Sequence, residues 1–115
     1  MKRLTFAVLA MLAAIVLTLP SGHAATADRM KVVATFSIIG DIVAHVAGDL
    51  VDLVTIVGPA GDTEEYEPTA ADIPKIAGAR ILFMNGLNDE FEPWLPNLLS
   101  QAKFAGTKVI VTRGV

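Results

Sequence analysis

Residues 31–48 read KVVATFSIIGDIVAHVAG, a β-branched run followed directly by a helical pattern. The run at residues 31–36 predicts a strand, and Ser37 occupies the position of a helix N-cap. Apolar residues then recur at positions 38, 39, 42, 43, 46 and 47, the spacing of one helical face, until Gly48 ends the pattern. This segment therefore predicts a strand and the helix that crosses over from it.

The same alternation continues along the chain. Further strands are predicted at residues 51–57, 80–84 and 107–112. Thr69-x-x-Asp72 matches a capping box and predicts a short helix that ends at Gly78. Another helix is predicted at residues 91–102, interrupted early by Pro93 and Pro96. Strands separated by helices imply parallel βαβ units, and hence an α/β fold of three layers: a four-stranded, mainly parallel sheet with flanking helices.

The first 27 residues have the pattern of a secretory signal peptide. Lys2 and Arg3 precede an uncharged apolar run at residues 4–19, and small residues follow at 22–24 and 25–27, as signal peptidase requires. The run is shorter than the roughly 20 apolar residues that cross a bilayer. We therefore expect cleavage near Ala27, a periplasmic location, and one domain at residues 28–115.

Composition excludes several classes of function. The 115 residues contain no cysteine, so disulfides, thiolate metal sites, thiol nucleophiles and a lipidated cysteine are excluded. The formal net charge is -3, and no Lys or Arg occurs between positions 32 and 74, where eight acidic residues fall: Asp41, Asp49, Asp52, Asp62, Glu64, Glu65, Glu67 and Asp72. Such a field attracts cations and repels nucleic acids.

A binding site is expected where the parallel strands end. Ligands of open α/β sheets bind at the carboxyl ends of the strands, which here are Ser37, the loop at residues 58–68 (the acidic loop) and residues 85–92. Acidic side chains at this edge are Asp62, Glu64, Glu65, Glu67, Asp89, Glu90 and Glu92.

Nucleotide-binding and catalytic patterns are missing from these loops. The first strand is followed by Ser37-Ile38-Ile39-Gly40, which fits neither a dinucleotide fingerprint nor a phosphate-binding loop. His45 is the one histidine after residue 27, and no serine near it in sequence could be activated by it. We therefore expect a protein that is not an enzyme.

Two conspicuous groups have structural interpretations. Asp41, His45 and Asp49 form an i, i+4 row that could pick up zinc, but such rows commonly support a surface helix. Trp94 could dock a partner, but it lies in a stripe with Phe91, Leu95, Leu98 and Leu99 at helical spacing, which favours a core position.

Residues 58–73, GPAGDTEEYEPTAADI, resemble the corresponding loop of the periplasmic metal-binding receptors of zinc and manganese ABC importers, the zinc-uptake and adhesin-type solute-binding proteins. Residues 33–43, VATFSIIGDIV, resemble the first strand and helix of that family. Asn85-Gly86-Leu87, with Trp94-Leu95, resembles the exit of its third strand. The resemblance covers residues 31–115.

The resemblance implies a receptor that captures Zn²⁺ or Mn²⁺ as its transported ligand and delivers the ion to a permease in the inner membrane. The family loop reads Asp-x-His-x-Tyr/Phe-Glu/Gln-Pro, and its histidine is the first metal ligand. Glu64 stands at that position here, so the candidate metal ligands are Glu64 and its neighbours Glu65 and Glu67. Carboxylates shift metal preference from zinc toward harder ions such as manganese.

Family members have two α/β lobes that hold the metal between them. The resemblance therefore implies that this chain is the N-terminal lobe, apparently truncated after its fourth strand. An alternative is a lobe without transport activity that acts at most as an interaction module and self-associates through its uncovered face.

Overall fold

A computed structural model of the protein describes residues 28–86 and 90–115. The predicted signal peptide at residues 1–27 lies outside this range, as do Leu87 and Asp89 of the predicted third-strand exit and acidic edge.

Four parallel strands form one sheet, as predicted. The strands are β1 at Met30–Phe36, β2 at Val51–Val57, β3 at Ile81–Met84 and β4 at Thr107–Ile110. Their order across the sheet is β2-β1-β3-β4. Phe36, the last residue of β1, pairs with Val57, the last residue of β2. On the other side of β1, Ala34 pairs with Phe83, so β3 ends close to the same height along the sheet. The loops that follow β1, β2 and β3 therefore begin at one edge of the sheet.

Three α-helices connect the strands: α1 at Ser37–Ala47, α2 at Ile73–Ile76 and α3 at Leu95–Gln101. A 3-10 turn at Gly48–Leu50 follows α1, where Gly48 adopts a positive φ of 49°. No helix in the two described segments is long and apolar enough to span a membrane.

The helix boundaries correct two sequence predictions. Ser37 is the first residue of α1 rather than its cap, and no side-chain hydrogen bond caps this helix. The last helix begins at Leu95 rather than at residue 91, because residues 90–94 form turns around Pro93 and because Pro96, which lacks an N–H, fits the first turn of a helix.

The helices cover both faces of the sheet, which confirms the three-layer arrangement. On one face α1 packs against β1 and β2 through Val32, Ala34, Ile39 and Val43. On the other face, α2 and α3 cover a larger core that includes Val33, Leu82, Ile76, Leu95, Leu98 and Trp94. The structure confirms the core position predicted for Trp94, which is 7% exposed.

The apolar face predicted for α1 is only half buried. Ile39 and Val43 are buried, whereas Ile38, Ile42 and Val46 are 60% to 83% exposed. A groove of about 510 Å³ runs beside Ile42 and Val46 and is bordered across the sheet by Phe83 and Val109. The helix sits over β1 and β2, so it leaves the β3–β4 side of this face open.

Gly40 allows α1 to lie close to the sheet. It is buried, and a methyl group added at this position would meet Oγ1 of Thr55 on β2 well inside van der Waals contact. The glycine is therefore a packing requirement of the α1–β2 contact.

We expect Gly40→Ala to lower the free energy of unfolding by about 1 kcal/mol or more, because overpacking outweighs the gain in helix propensity. The measurement is urea denaturation followed by circular dichroism. Gly58→Ala is the control, because no atom lies within 4 Å of its added methyl group. In a Thr55→Ala background the Gly40 substitution should no longer destabilise; an unchanged effect there would contradict the proposed clash.

Candidate metal-binding site

A cleft of about 450 Å³ lies at the carboxyl edge of the sheet, where the loops after β2 and β3 meet. It is lined by residues 59–64 of the acidic loop and by Phe91. Phe91 contacts Phe36 at the end of β1 edge-to-face, with ring centroids 5.4 Å apart. The cleft therefore occupies the edge at which the topology of the sheet predicted a ligand site.

Glu64 faces this cleft from a turn that Asp62 organises. The Oδ1 atom of Asp62 accepts hydrogen bonds from the backbone N–H of Glu64 at 2.9 Å and of Glu65 at 3.4 Å. The N–H of Gly61 donates to the carbonyl of Gly58 at 3.0 Å, which closes the preceding turn. Asp62 thus shapes the loop with one oxygen, while Glu64 is exposed and lines the cleft.

The other two predicted ligands lie elsewhere on the loop. Glu65 and Glu67 are exposed, and neither borders the cleft. Within residues 28–86 and 90–115, no three histidine, aspartate or glutamate side chains are grouped so that they could hold a metal ion. Among the described residues, Glu64 therefore lines the cleft without a surrounding set of ligands.

Trp94 anchors the loop just before Glu64. Its indole Nε1–H donates to the carbonyl of Thr63 at 2.7 Å, a buried hydrogen bond between residues 31 positions apart in sequence. The Tyr66 ring packs edge-to-face on Trp94 with a centroid separation of 5.1 Å. Because Trp94, which immediately precedes α3, belongs to the larger core, the loop is tied directly to that core.

Asp72 anchors the loop just after Glu64. This side chain is 1% exposed, and its Oδ2 accepts the Tyr66 hydroxyl at 2.9 Å, the Thr69 N–H at 2.8 Å and the Thr69 hydroxyl at 3.2 Å. Its Oδ1 accepts Lys75 Nζ at 2.6 Å. The bond from the Thr69 N–H has the pairing expected of the predicted capping box, but α2 begins at Ile73 with Asp72 at its N-cap and no side-chain cap bond, so the predicted cap at Thr69 is wrong. The Tyr66 bond, which the sequence did not indicate, extends the network into the loop.

The ionised form of Asp72 is strongly favoured. Burial alone would raise the pKa of this carboxyl, but hydrogen bonds from Lys75, the Thr69 amide and the Tyr66 hydroxyl, together with the Lys75 charge, lower the pKa from 3.8 to about 2. Burial and the neighbouring Asp72 carboxylate raise the pKa of Tyr66 above its ordinary value of 10.0. At neutral pH the protonated phenol therefore donates a hydrogen bond to an ionised carboxylate.

Glu92 is not part of an acidic surface, contrary to the sequence expectation. It is 4% exposed, and its carboxylate accepts the backbone N–H groups of Asn85 at 3.2 Å and Gly86 at 3.4 Å. The carbonyl of Asn85 in turn accepts the Thr112 hydroxyl at 2.7 Å. Glu92 therefore holds the turn after β3, whereas Glu90 is exposed and Asp89 lies outside the described residues.

His45 has the surface role that its spacing favoured. It is exposed, and its Nδ1 donates to the carbonyl of Asp41 at 2.7 Å, one helical turn earlier. The contact uses the Asp41 backbone rather than its carboxylate, so the row predicted on α1 is a local helix contact.

Comparisons with known proteins give the family and the fold that this chain resembles. The family model of the periplasmic zinc-uptake complex component A, ZnuA, matches residues 32–115. The manganese ABC transporter substrate-binding lipoprotein PsaA of Streptococcus mitis is 44% identical over 82 residues, which are 70% of this chain and 26% of PsaA. The chain thus spans about a quarter of the length of that relative.

Solved structures show the same fold. The Mn-bound periplasmic metal-binding protein of Candidatus Liberibacter asiaticus is 36% identical with a TM-score of 0.64, covering 73% of this chain and 31% of its own. Zn(II)-bound AdcA of Streptococcus pneumoniae is 27% identical with a TM-score of 0.61, covering 76% of this chain and 19% of its own.

The pKa of Asp72 predicts how stability depends on pH. Because the unfolded chain takes up this proton near pH 4 and the folded chain near pH 2, the stabilisation is present above pH 4 and is lost between about pH 4 and 2. Its size is about 2 kcal/mol, since one pKa unit corresponds to about 1.4 kcal/mol.

The measurement is the free energy of unfolding from urea titrations between pH 2 and pH 6. We expect Asp72→Asn to remove most of the loss of stability on acidification, whereas Asp52→Asn, at an exposed position on β2, should leave it in place. An identical acid dependence in Asp72→Asn and the parent protein would contradict the assignment.

Proposed function

Because the chain belongs to the periplasmic zinc-uptake complex component A family, we propose that it is the solute-binding component of an ABC importer for a divalent metal ion. Zn²⁺ or Mn²⁺ is its transported ligand, and a permease in the inner membrane receives the ion. The family is one of transport receptors rather than enzymes. The alternative of an interaction module is not favoured, because the relatives and structural neighbours reported above are metal-binding proteins.

The observation that carries this proposal is the position of Glu64. Glu64 lines the cleft on the carboxyl edge of the sheet, and by the sequence resemblance it stands in the loop position where the family has its metal-binding histidine. The loop is acidic, and the nearest basic side chain along the sequence after it is Lys75, which is paired with Asp72. A cation entering the cleft therefore meets a negative field with a pre-positioned oxygen ligand.

Replacement of imidazole by carboxylate favours manganese over zinc. Carboxylate oxygen is a hard ligand that suits Mn²⁺, whereas imidazole suits zinc and the later transition metals. Both ions are represented among the similar proteins, by name in the manganese lipoprotein PsaA and in the Zn(II)-bound AdcA. We therefore propose manganese as the preferred ion of this chain.

Glu65 and Glu67 have a secondary role in this proposal. They are exposed on the same loop, so they add negative charge near the cleft and are close enough in sequence to approach a bound ion after a local rearrangement. A shell of four to six ligands requires donors in addition to these. In the family those donors come from a second lobe, and we propose that residues 28–115 correspond to the N-terminal one.

The location proposed is the periplasm, reached through a signal peptide at residues 1–27 that is cleaved on export. The basic residues at positions 2 and 3, the apolar run and the small residues near Ala27 support this. Self-association is not part of the proposal, because the described residues do not identify what covers the exposed face of α1.

Isothermal titration of the 115-residue chain with Mn²⁺ and with Zn²⁺, after chelator treatment, tests the function. We expect one saturable site for Mn²⁺. Glu64→Gln should weaken Mn²⁺ binding about tenfold or more, because one charged ligand is lost while the shape of the side chain is kept. Glu64→His should shift the preference toward Zn²⁺, since imidazole is the softer ligand.

Glu65→Gln and Glu67→Gln are the matched controls, because each removes the same charge from the same loop. We expect each of them to weaken binding less than Glu64→Gln does. Equal losses in all three variants would mean that loop charge attracts the ion without a specific ligand, and non-saturating heats for both metals would overturn metal capture by this chain.

A further inference from the structure

The acidic loop is exposed along most of its length but is tied to the core at two points. Thr63 is 8% exposed and its carbonyl accepts the Trp94 indole, while Tyr66 lies three residues later, half-buried, against the Trp94 ring. Glu64 and Glu65, between these points, are exposed. The two exposed residues therefore span a short stretch whose ends are both held.

We propose that Asp72 is a positioning residue for Glu64: through the Tyr66 hydroxyl it holds the loop segment that carries Glu64 at the mouth of the cleft. This inference rests on the proposed function, because it assigns a second residue to the same metal site. Asp72 does not line the cleft, so it acts through Tyr66 rather than by touching the ion.

The hydrogen bonds of Asp72 divide into two groups with different purposes. The bonds from the Thr69 amide and hydroxyl are local to the turn that precedes α2, and the bond from Lys75 comes from α2 itself. The bond from Tyr66 reaches six residues back into the acidic loop at 2.9 Å and contributes nothing to the helix. A carboxylate needed only to hold the turn before α2 would not require it.

Burial makes the link to Tyr66 effective. A hydrogen bond to a charged acceptor that is 1% exposed is stronger than one at the surface, and water does not compete for it. The Tyr66 ring is held at the same time by the edge-to-face contact with Trp94. The tyrosine is therefore fixed at its hydroxyl and at its ring, which restricts the backbone two residues after Glu64.

A restricted loop binds an ion more tightly than a mobile one, because less conformational freedom is lost on binding. Partners that orient a metal ligand commonly change affinity by about 10- to 100-fold when they are removed. Tyr66→Phe removes the hydroxyl alone and keeps the ring on Trp94. Lys75→Met is the matched control, since it breaks another side-chain bond of Asp72 and leaves the link to the loop.

Two measurements on the 115-residue chain test the inference. Amide hydrogen exchange of Glu64 and Glu65 without metal reports loop order, because both N–H groups donate to Asp62 only when the turn is formed. Titration with Mn²⁺ alone reports affinity. We expect Tyr66→Phe to raise the exchange rates of these two amides about tenfold and to weaken Mn²⁺ binding about tenfold. Lys75→Met should change both by less than twofold.

Two results would overturn the inference: unchanged exchange in Tyr66→Phe, or an equal increase in Lys75→Met, which would reduce Asp72 to a residue that only holds the turn before α2. Asp72→Asn is the second variant, because it keeps the shape of the side chain and removes its negative charge. It should change the exchange rates of the Glu64 and Glu65 amides in the same direction as Tyr66→Phe. Failure of the parent protein to bind either metal would overturn the proposed function, and the exchange data would still decide whether Asp72 orders the loop.

Discussion

Strand β1 pairs with β2 on one side and with β3 on the other, and all three run in the same direction. Parallel pairing places the carboxyl ends of the strands at one edge, so the loops after β2 and β3 must meet there although they are far apart in sequence. The cleft at Glu64, the ring pair of Phe36 and Phe91, and the bond from Trp94 to Thr63 all depend on this pairing. Without a parallel sheet the acidic loop would have nothing to pack against.

Within that edge, two buried polar groups hold the turns. Asp72 accepts four hydrogen bonds and orders the loop after β2, and Glu92 accepts two backbone N–H groups and orders the turn after β3. A buried carboxylate is tolerated only where donors compensate for its loss of water, and both sites meet this condition. Acidic residues at this edge therefore have two separate uses: the buried Asp72 and Glu92 and the exposed Asp62 hold the turns, and Glu64 provides negative charge at the cleft.

The proposed metal chemistry follows from this division. A single carboxylate at a cleft attracts a divalent cation and favours a hard ion, but it does not by itself complete a coordination shell. A site that receives further ligands from another lobe needs its first ligand in a fixed position, because ordering both parts at once would weaken binding. The two anchor points on either side of Glu64 meet that need, and they explain why an exposed loop is attached to buried aromatic residues.

Periodicity was sufficient to predict the strands, the parallel α/β fold and the edge that carries the site, because β-branched runs and helical spacing are local properties of the chain. Motif similarity added the family and the candidate ligand Glu64. Three features depended on the folded chain. The apolar residues of α1 divide into buried and exposed sets because the helix lies over β1 and β2 alone. Glu92, which in the sequence is one acid among several, is buried. The bonds from Tyr66 to Asp72 and from Trp94 to Thr63 form only in the folded chain, because they join residues 6 and 31 positions apart. No spacing rule in the sequence encodes either contact. The bond from Trp94 to Thr63 forms because the residue just before α3 packs against the acidic loop.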